Sequence, residues 1–180
     1  MLIMITGLPG SGKSTVASHI KEYLTRNNHL YFYYNTDSIR NLLFTIQSNE
    51  DRDFTAQELT LTYKILNYMI SEVLNLKEKR VVIVDGFFRS KSQRLLLKEI
   101  VKISHTNILH IHVESEEGEI IKRLENRYNE GKGSGTKSFK ISKMKFESIK
   151  DEERKVISNN GTIAELENEV LKLMRGVSID

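Results

Sequence analysis

The sequence contains no cysteine, which excludes disulfide staples and thiolate metal sites. Its one proline, Pro9, lies in the first turn, and neither an internal repeat nor a linker divides the chain. No apolar run approaches the roughly 18 residues of a membrane span. Residues 1–6 are too short, and lack the basic flank, for a signal peptide. Strong charge of one sign is also missing: 27 basic and 24 acidic residues leave a net charge of +3, too mild by itself to mark a nucleic-acid binder. These absences predict a cytoplasmic chain that meets no membrane, and no obligate protein partner is evident. What is present is 180 residues, 39% of them hydrophobic. That suits a single domain over 1–180, since domains commonly run to roughly 100–200 residues. A domain of this size can bury about 70% of its unfolded surface.

Hydrophobic periodicity and capping residues predict alternating strands and helices. Strands are expected over 2–6, 30–35, 80–85, 108–113 and 155–158. The third, RVVIVD, is apolar on both faces and therefore central. Helices are expected over 14–25, 37–47, from Thr55 onward with Leu59, Leu66, Ile70 and Val73 as its stripe, over 90–103, 115–128 and 142–149, and after Thr162. Thr55/Glu58, Ser90/Gln93 and Thr162/Glu165 each read as a capping box. Residues 47–53 and the glycine-bearing stretch 129–140 (NEGKGSGTKSFK) read as loops, the second a mobile one. Lys132, Lys137, Lys140, Lys143, Lys145 and Lys150 crowd that region, as a solvated face or as a cover for polyphosphate. Strands alternating with helices mean an α/β architecture, a parallel sheet covered on both faces.

Residues 7–15 (GLPGSGKST) fit G-x-x-x-x-G-K-[ST] between the first strand and first helix. Gly7, Gly10 and Gly12 let backbone N–H groups turn inward around phosphate oxygens, with Pro9, Ser11 and Thr15 completing the loop. Lys13 is placed to neutralise the β/γ-phosphates of ATP, and the Ser14 hydroxyl to ligate Mg²⁺. The helix that starts near Lys13 adds its N-terminal dipole.

In a doubly wound sheet the chemistry lies beyond the carboxyl ends of the strands. Strand three ends in Asp85, a carboxylate suited to hold Mg²⁺ directly or through water. Strand two is followed by Asp37 and, one helical turn on, Arg40. A carboxylate that accepts a hydroxyl proton beside a guanidinium that grips a phosphate makes a reasonable acceptor site. An ordinary helix cap at Asp37 is the alternative.

Residues 7–15, Asp37-x-x-Arg40, the strand ending in Asp85, the segment 122–127 (KRLENR) and 144–149 (MKFESI) together resemble the P-loop kinases grouped with polynucleotide 5′-kinase and zeta-toxin-type kinases. The resemblance spans nearly the whole chain. It implies a five-stranded parallel sheet of order 2-3-1-4-5 with a short mobile lid over about 128–150. It implies Asp37 as general base, Arg40 on the acceptor phosphate or transition state, and Arg127, with Arg123, on the phosphates of ATP. A second stretch, 85–93 (DGFFRSKSQ), is similar to the D-G-F-P-R-[ST]-x-x-Q segment of nucleoside monophosphate kinases, which implies Arg89 and Gln93 as acceptor-binding residues. Phe88 replaces the usual proline there, and the arginine and aspartates of that family's lid are missing from 134–138 (SGTKS). In related kinases the turn after the last strand, here 159–162 (NNGT), holds adenine.

His110 and His112 face the same side of strand four and lack a third metal ligand, so packed histidines are expected. Residues 31–34 (YFYY) offer aromatic surface, but aromatics favour strands in any case. Phe87 and Phe88, at the rim of the site, are the better stacking candidates. The expected activity is transfer of the γ-phosphoryl group of ATP to a hydroxyl of a nucleotide, a nucleic-acid 5′ end or a small molecule. A monophosphate kinase and a nucleotide-binding ATPase switch are the alternatives.

Overall fold

The computed structural model describes residues 1–44, 54–76, 78, 80–131 and 135–179. Five strands, β1 (Leu2–Thr6), β2 (Tyr31–Asn35), β3 (Val81–Asp85), β4 (Ile108–Glu114) and β5 (Lys155–Ser158), form one parallel sheet in the order β2-β3-β1-β4-β5. The expected order is therefore observed. Strand alternation divides the core in two. Ile3, Ile5, Val81, Ile83, Ile111 and Val113 face α1 (Lys13–Arg26) and α7 (Ile163–Arg175), packing on Val16, Ile20, Val170 and Met174. Leu2, Met4, Val82 and Val84 face the opposite way. They meet α2 (Thr36–Leu43), α3 (Ala56–Leu74) and α4 (Lys91–Ile103) through Ile39, Leu66, Ile70, Leu97 and Val101.

The three expected capping boxes form, at Thr55/Glu58, Ser90/Gln93 and Thr162/Glu165. α2 ends at Leu43 rather than continuing, with Phe44 extended as its C-cap. The expected extension to Gln47 and the loop 47–53 fall outside the described residues. α5 (Glu117–Asn129) is followed by α6 (Gly135–Lys145), so the expected loop over 129–140 is corrected from Gly135 onward. The physical reason is one aromatic. Phe139 is buried against Ile120 and Leu124 of α5, with Leu8 of the glycine-rich turn packed on the same cluster. Burying such a side chain contributes about 1.5–3 kcal/mol, enough to hold a short helix down. The helix expected over 142–149 thus begins earlier and stops at Lys145, and residues 146–149 are not helical.

Among the described residues no helix is long and apolar enough to cross a membrane.

Candidate functional site

The carboxyl ends of β1, β2 and β3 meet at one level, with Ile5 opposite Asp85 and Asp85 opposite Asn35. A cleft of about 320 Å³ opens there. Pro9, Gly10, Gly12, Lys13 and Ser14 form one side, Asn35, Thr36, Asp37 and Arg40 another, and Asp85, Gly86 and Phe87 a third. Leu124 and Arg127 of α5, with Gly135 and Ser142 of α6, complete the lining. Three cations, Lys13, Arg40 and Arg127, face two carboxylates, Asp37 and Asp85, so an anionic ligand is favoured electrostatically.

The glycine-rich turn is shaped by its main chain. Gly12 has φ 97°, in the left-handed region, and a Cβ there would come within 2.0 Å of Asn159 Nδ2. That amide donates to the Ser11 carbonyl at 2.8 Å. Ser11 is buried, and its N–H donates to Leu8 O at 3.1 Å. The first turn of α1 is closed by Thr15 N–H donating to Gly12 O at 3.0 Å, and Thr15 does not line the cleft. Gly7 links β1 to the turn, lying close under the Val113 carbonyl. Lys13 Nζ donates to Leu8 O at 2.9 Å. Burial holds its pKa below the usual lysine value, partly offset by the nearby carboxylates of Asp85 and Asp37.

Asp85 is fully buried. Its Oδ2 accepts from Ser14 Oγ at 2.9 Å, Tyr33 Oη at 3.0 Å and Asn35 Nδ2 at 3.0 Å. Its Oδ1 is buried without a partner. An orphaned carboxylate oxygen next to a serine hydroxyl is the donor set expected of a hard divalent cation such as Mg²⁺. Tyr33, whose pKa is raised by burial and by the Asp85 charge, and Asn35 were not singled out from the sequence.

Asn35 also settles the alternative at Asp37. Its Oδ1 accepts from Ser38 N–H at 2.9 Å, which makes Asn35 the N-cap of α2. Asp37 is thereby left out of the capping role, and 69% of its side chain is exposed in the cleft. Arg40 Nη2 lies 2.5 Å from Asp37 Oδ1, and its guanidinium sits over the ring of Phe54 at 4.5 Å.

Other sequence-predicted residues stand apart from the cleft. Arg123 donates to Ser115 Oγ at 3.1 Å and to the Asn159 carbonyl at 2.8 Å. It therefore braces the turn after β5, and that turn in turn braces the phosphate loop through Asn159. Gln93 accepts from Ser90 N–H in its capping box. Neither Gln93 nor Arg89 lines the cleft; the Arg89 carbonyl accepts from Glu147 N–H at 2.8 Å. Phe88 is not a rim residue. It is fully buried at φ 41°, against Tyr63 at 5.4 Å. Its neighbour Phe87 does reach the cleft. Lys140, Lys145 and Lys150 are exposed, and Lys143 pairs with Glu117; none of these four lines the cleft. Lys132 lies outside the described residues.

The two histidines are packed, as expected. His110 Nε2 and His112 Nδ1 each lie 2.9 Å from Thr6 Oγ1, and burial lowers both pKa values to about 4.

Comparison with known proteins adds a family and a set of folds. No curated protein matches the sequence. Among solved structures, Kti12 of Chaetomium thermophilum in complex with ADP-AlF3 has a TM-score of 0.74 at 16% identity, covering 99% of this chain and 100% of that one. APE1195 has a TM-score of 0.68 at 21% identity, covering 98% and 95%. The Mycobacterium tuberculosis APS kinase CysC in complex with AMPPNP and APS has a TM-score of 0.64 at 17% identity, covering 97% and 96%. At these identities the likeness is one of fold. The family model described as chromatin associated protein KTI12 matches residues 1–172, nearly the whole chain, and the protein belongs to that family.

Proposed function

We propose that this protein transfers the γ-phosphoryl group of ATP to a hydroxyl of a nucleotide or nucleic-acid 5′ end. The observation that carries the reading is Asp37. It is exposed in the same cleft as the phosphate loop, beside Arg40, and a neighbour has taken its capping duty. A nucleotide switch needs no such carboxylate.

In this reading the turned-in backbone of Gly10 and Gly12 holds the phosphates of ATP. Lys13 neutralises charge that develops as the bond between the γ-phosphorus and its bridging oxygen breaks. Asp37 takes the proton of the acceptor hydroxyl, whose oxygen forms the new bond to phosphorus, and ADP leaves. Arg40 orients the acceptor, and Arg127 reaches the transferring group from α5. Ser14 and Asp85 are the residues that would hold Mg²⁺, which when bound screens the β/γ-phosphate charge.

The monophosphate-kinase alternative is weakened by the placement of Arg89 and Gln93 away from the cleft, because these two residues carried it. Replacing Asp37 with Asn separates the readings. A hydroxyl acceptor requires the carboxylate, so turnover with labelled ATP falls roughly 10²–10⁴-fold. Folding survives because Asn35 still caps α2. An Asp37→Asn chain that phosphorylates AMP, CMP or UMP at the wild-type rate would reject the proposal. ATP hydrolysis with no transfer to any acceptor would favour the switch.

A further inference from the structure

Phe87 is an aromatic cleft residue that neither the phosphate loop nor the proton transfer explains. The two residues before it have clear duties. Asp85 ends β3 in the donor set described above, and Gly86 makes a close approach. A Cβ on Gly86 would lie 2.5 Å from Thr36 Cγ2. The end of β3 is thus pressed against the start of α2, which sets Phe87 next to the Thr36–Asp37 wall of the cleft.

Phe87 is also held flat. Its ring centroid lies 5.7 Å from that of Phe146, with 21° between planes. Phe146 in turn lies 5.7 Å from His112, with 18° between planes. Three nearly parallel rings therefore run outward from β4 to the cleft in the offset geometry that aromatic pairs favour. The inner ring is fixed by the bond between His112 Nδ1 and Thr6 Oγ1. The middle ring sits under the guanidinium of Arg94, 5.6 Å from its centroid. Arg94 is fully buried, donating to Phe88 O and Glu152 Oε1 at 2.7 Å and to Glu147 O and Ser148 O at 3.2 Å. It clamps both segments that meet at the Phe87–Phe146 contact. Phe88 spends its ring in the core, whereas Phe87 is only half-buried and lines a cleft whose acceptor side is otherwise polar.

We propose that Phe87 is the specificity-determining face of the acceptor site, on which a nucleobase adjoining the reactive hydroxyl stacks as a fourth ring. The inference rests on the phosphotransfer reading and narrows it, since a small alcohol has nothing to place there. A base on an aromatic side chain is commonly worth about 1–3 kcal/mol, or about 5–150-fold in affinity.

The test uses two short oligonucleotides with a 5′-hydroxyl, one complete and one abasic at the first nucleotide. Wild-type kcat/KM is expected to favour the complete strand by about 5–150-fold. Phe87→Leu keeps an apolar side chain but loses the π-face, so the preference collapses toward one while the KM for ATP stays unchanged. Phe87→Trp retains the preference. Because the chain has no tryptophan, Phe87→Trp also supplies a sole indole, whose fluorescence is quenched by the complete strand and not by the abasic one. Equal turnover of the two strands, or a leucine variant that still discriminates, overturns the proposal. Quenching without turnover leaves the stack standing and removes the kinase reading; turnover without quenching does the reverse.

Discussion

The two sides of the cleft are built by different means. The glycine-rich side is shaped around its own main chain: a left-handed glycine, and loop carbonyls that accept from the Lys13 ammonium and the Asn159 amide. The side that carries Phe87 is held by side chains. The Arg94 guanidinium and the Glu152 carboxylate join segments more than fifty residues apart, and three stacked rings tie those segments to β4. In the proposed reading, a loop shaped by its backbone takes one kind of ligand, the phosphate chain.

The contrast can be broken at either side. Arg94→Ala acts on the wall and has the largest expected effect on stability. It removes the buried partner of Glu152, keeping only Lys98 at 2.8 Å, and removing one member of a buried pair costs about 3–5 kcal/mol. Urea unfolding of the variant should show the loss as a lower midpoint. Lys13→Ala should do the opposite, lowering turnover by at least about 10²–10³-fold with an unchanged urea midpoint, because the lysine faces the cleft rather than the core. Full turnover with unchanged ATP affinity would contradict its role.

Gly12→Ala sharpens the comparison at a smaller scale. The added Cβ meets the Asn159 amide and the backbone must keep φ 97°, a strain of about 1–3 kcal/mol. ATP affinity, measured calorimetrically, should fall with stability, whereas affinity for an acceptor measured without ATP should not.

The smallest effect is one of pH. His110 and His112 titrate near 4 in the folded chain because burial disfavours the imidazolium, against an ordinary value of 6.5. The unfolded chain therefore binds more protons between these limits, so stability falls as pH is lowered from about 6.5 to about 4. Imidazole ¹⁵N shifts that stay neutral at pH 5.5 would verify the cause. A midpoint that holds constant over this window would argue against it.

The alternation of strands and helices and the three capping boxes were legible because they rest on local pattern: hydrophobic periodicity, and a Ser or Thr three residues before Glu or Gln. The phosphate loop was legible for the same reason. The sheet order was legible only through the resemblance to P-loop kinases. Asp37 was only half legible, since a carboxylate at a helix start serves as cap or as base, and the N-cap at Asn35 removes the first of these roles. Arg123 and Phe88 misled because each fits a local motif while its partner comes from elsewhere, and Gln93 because it fits two local motifs at once, the capping box and the acceptor segment. Arg123 finds the Asn159 carbonyl, Gln93 its own capping box, and Phe88 the ring of Tyr63. Helix α6 was hidden behind its glycines, and only the burial of Phe139 against α5 shows why it forms. Tyr33 and Asn35 gave no signal at all, because nothing in an edge-strand aromatic run marks which hydroxyl meets a carboxylate 52 residues later.

The central position of β1 has a consequence for how the molecule is made. Leu2 pairs with Val82 on one side and Ile108 on the other, and the amide that braces the phosphate loop comes 148 residues after Ser11. The loop therefore precedes, by a long stretch of chain, both the strand beside it and the amide that completes it. Pairings this distant must overcome a large loop-closure entropy before they gain anything, which slows folding and prolongs the exposure of unpaired edges. A chain cut before β4 carries every residue from Gly7 to Thr15, yet it lacks both the neighbouring strand and the Asn159 amide that hold that turn in place.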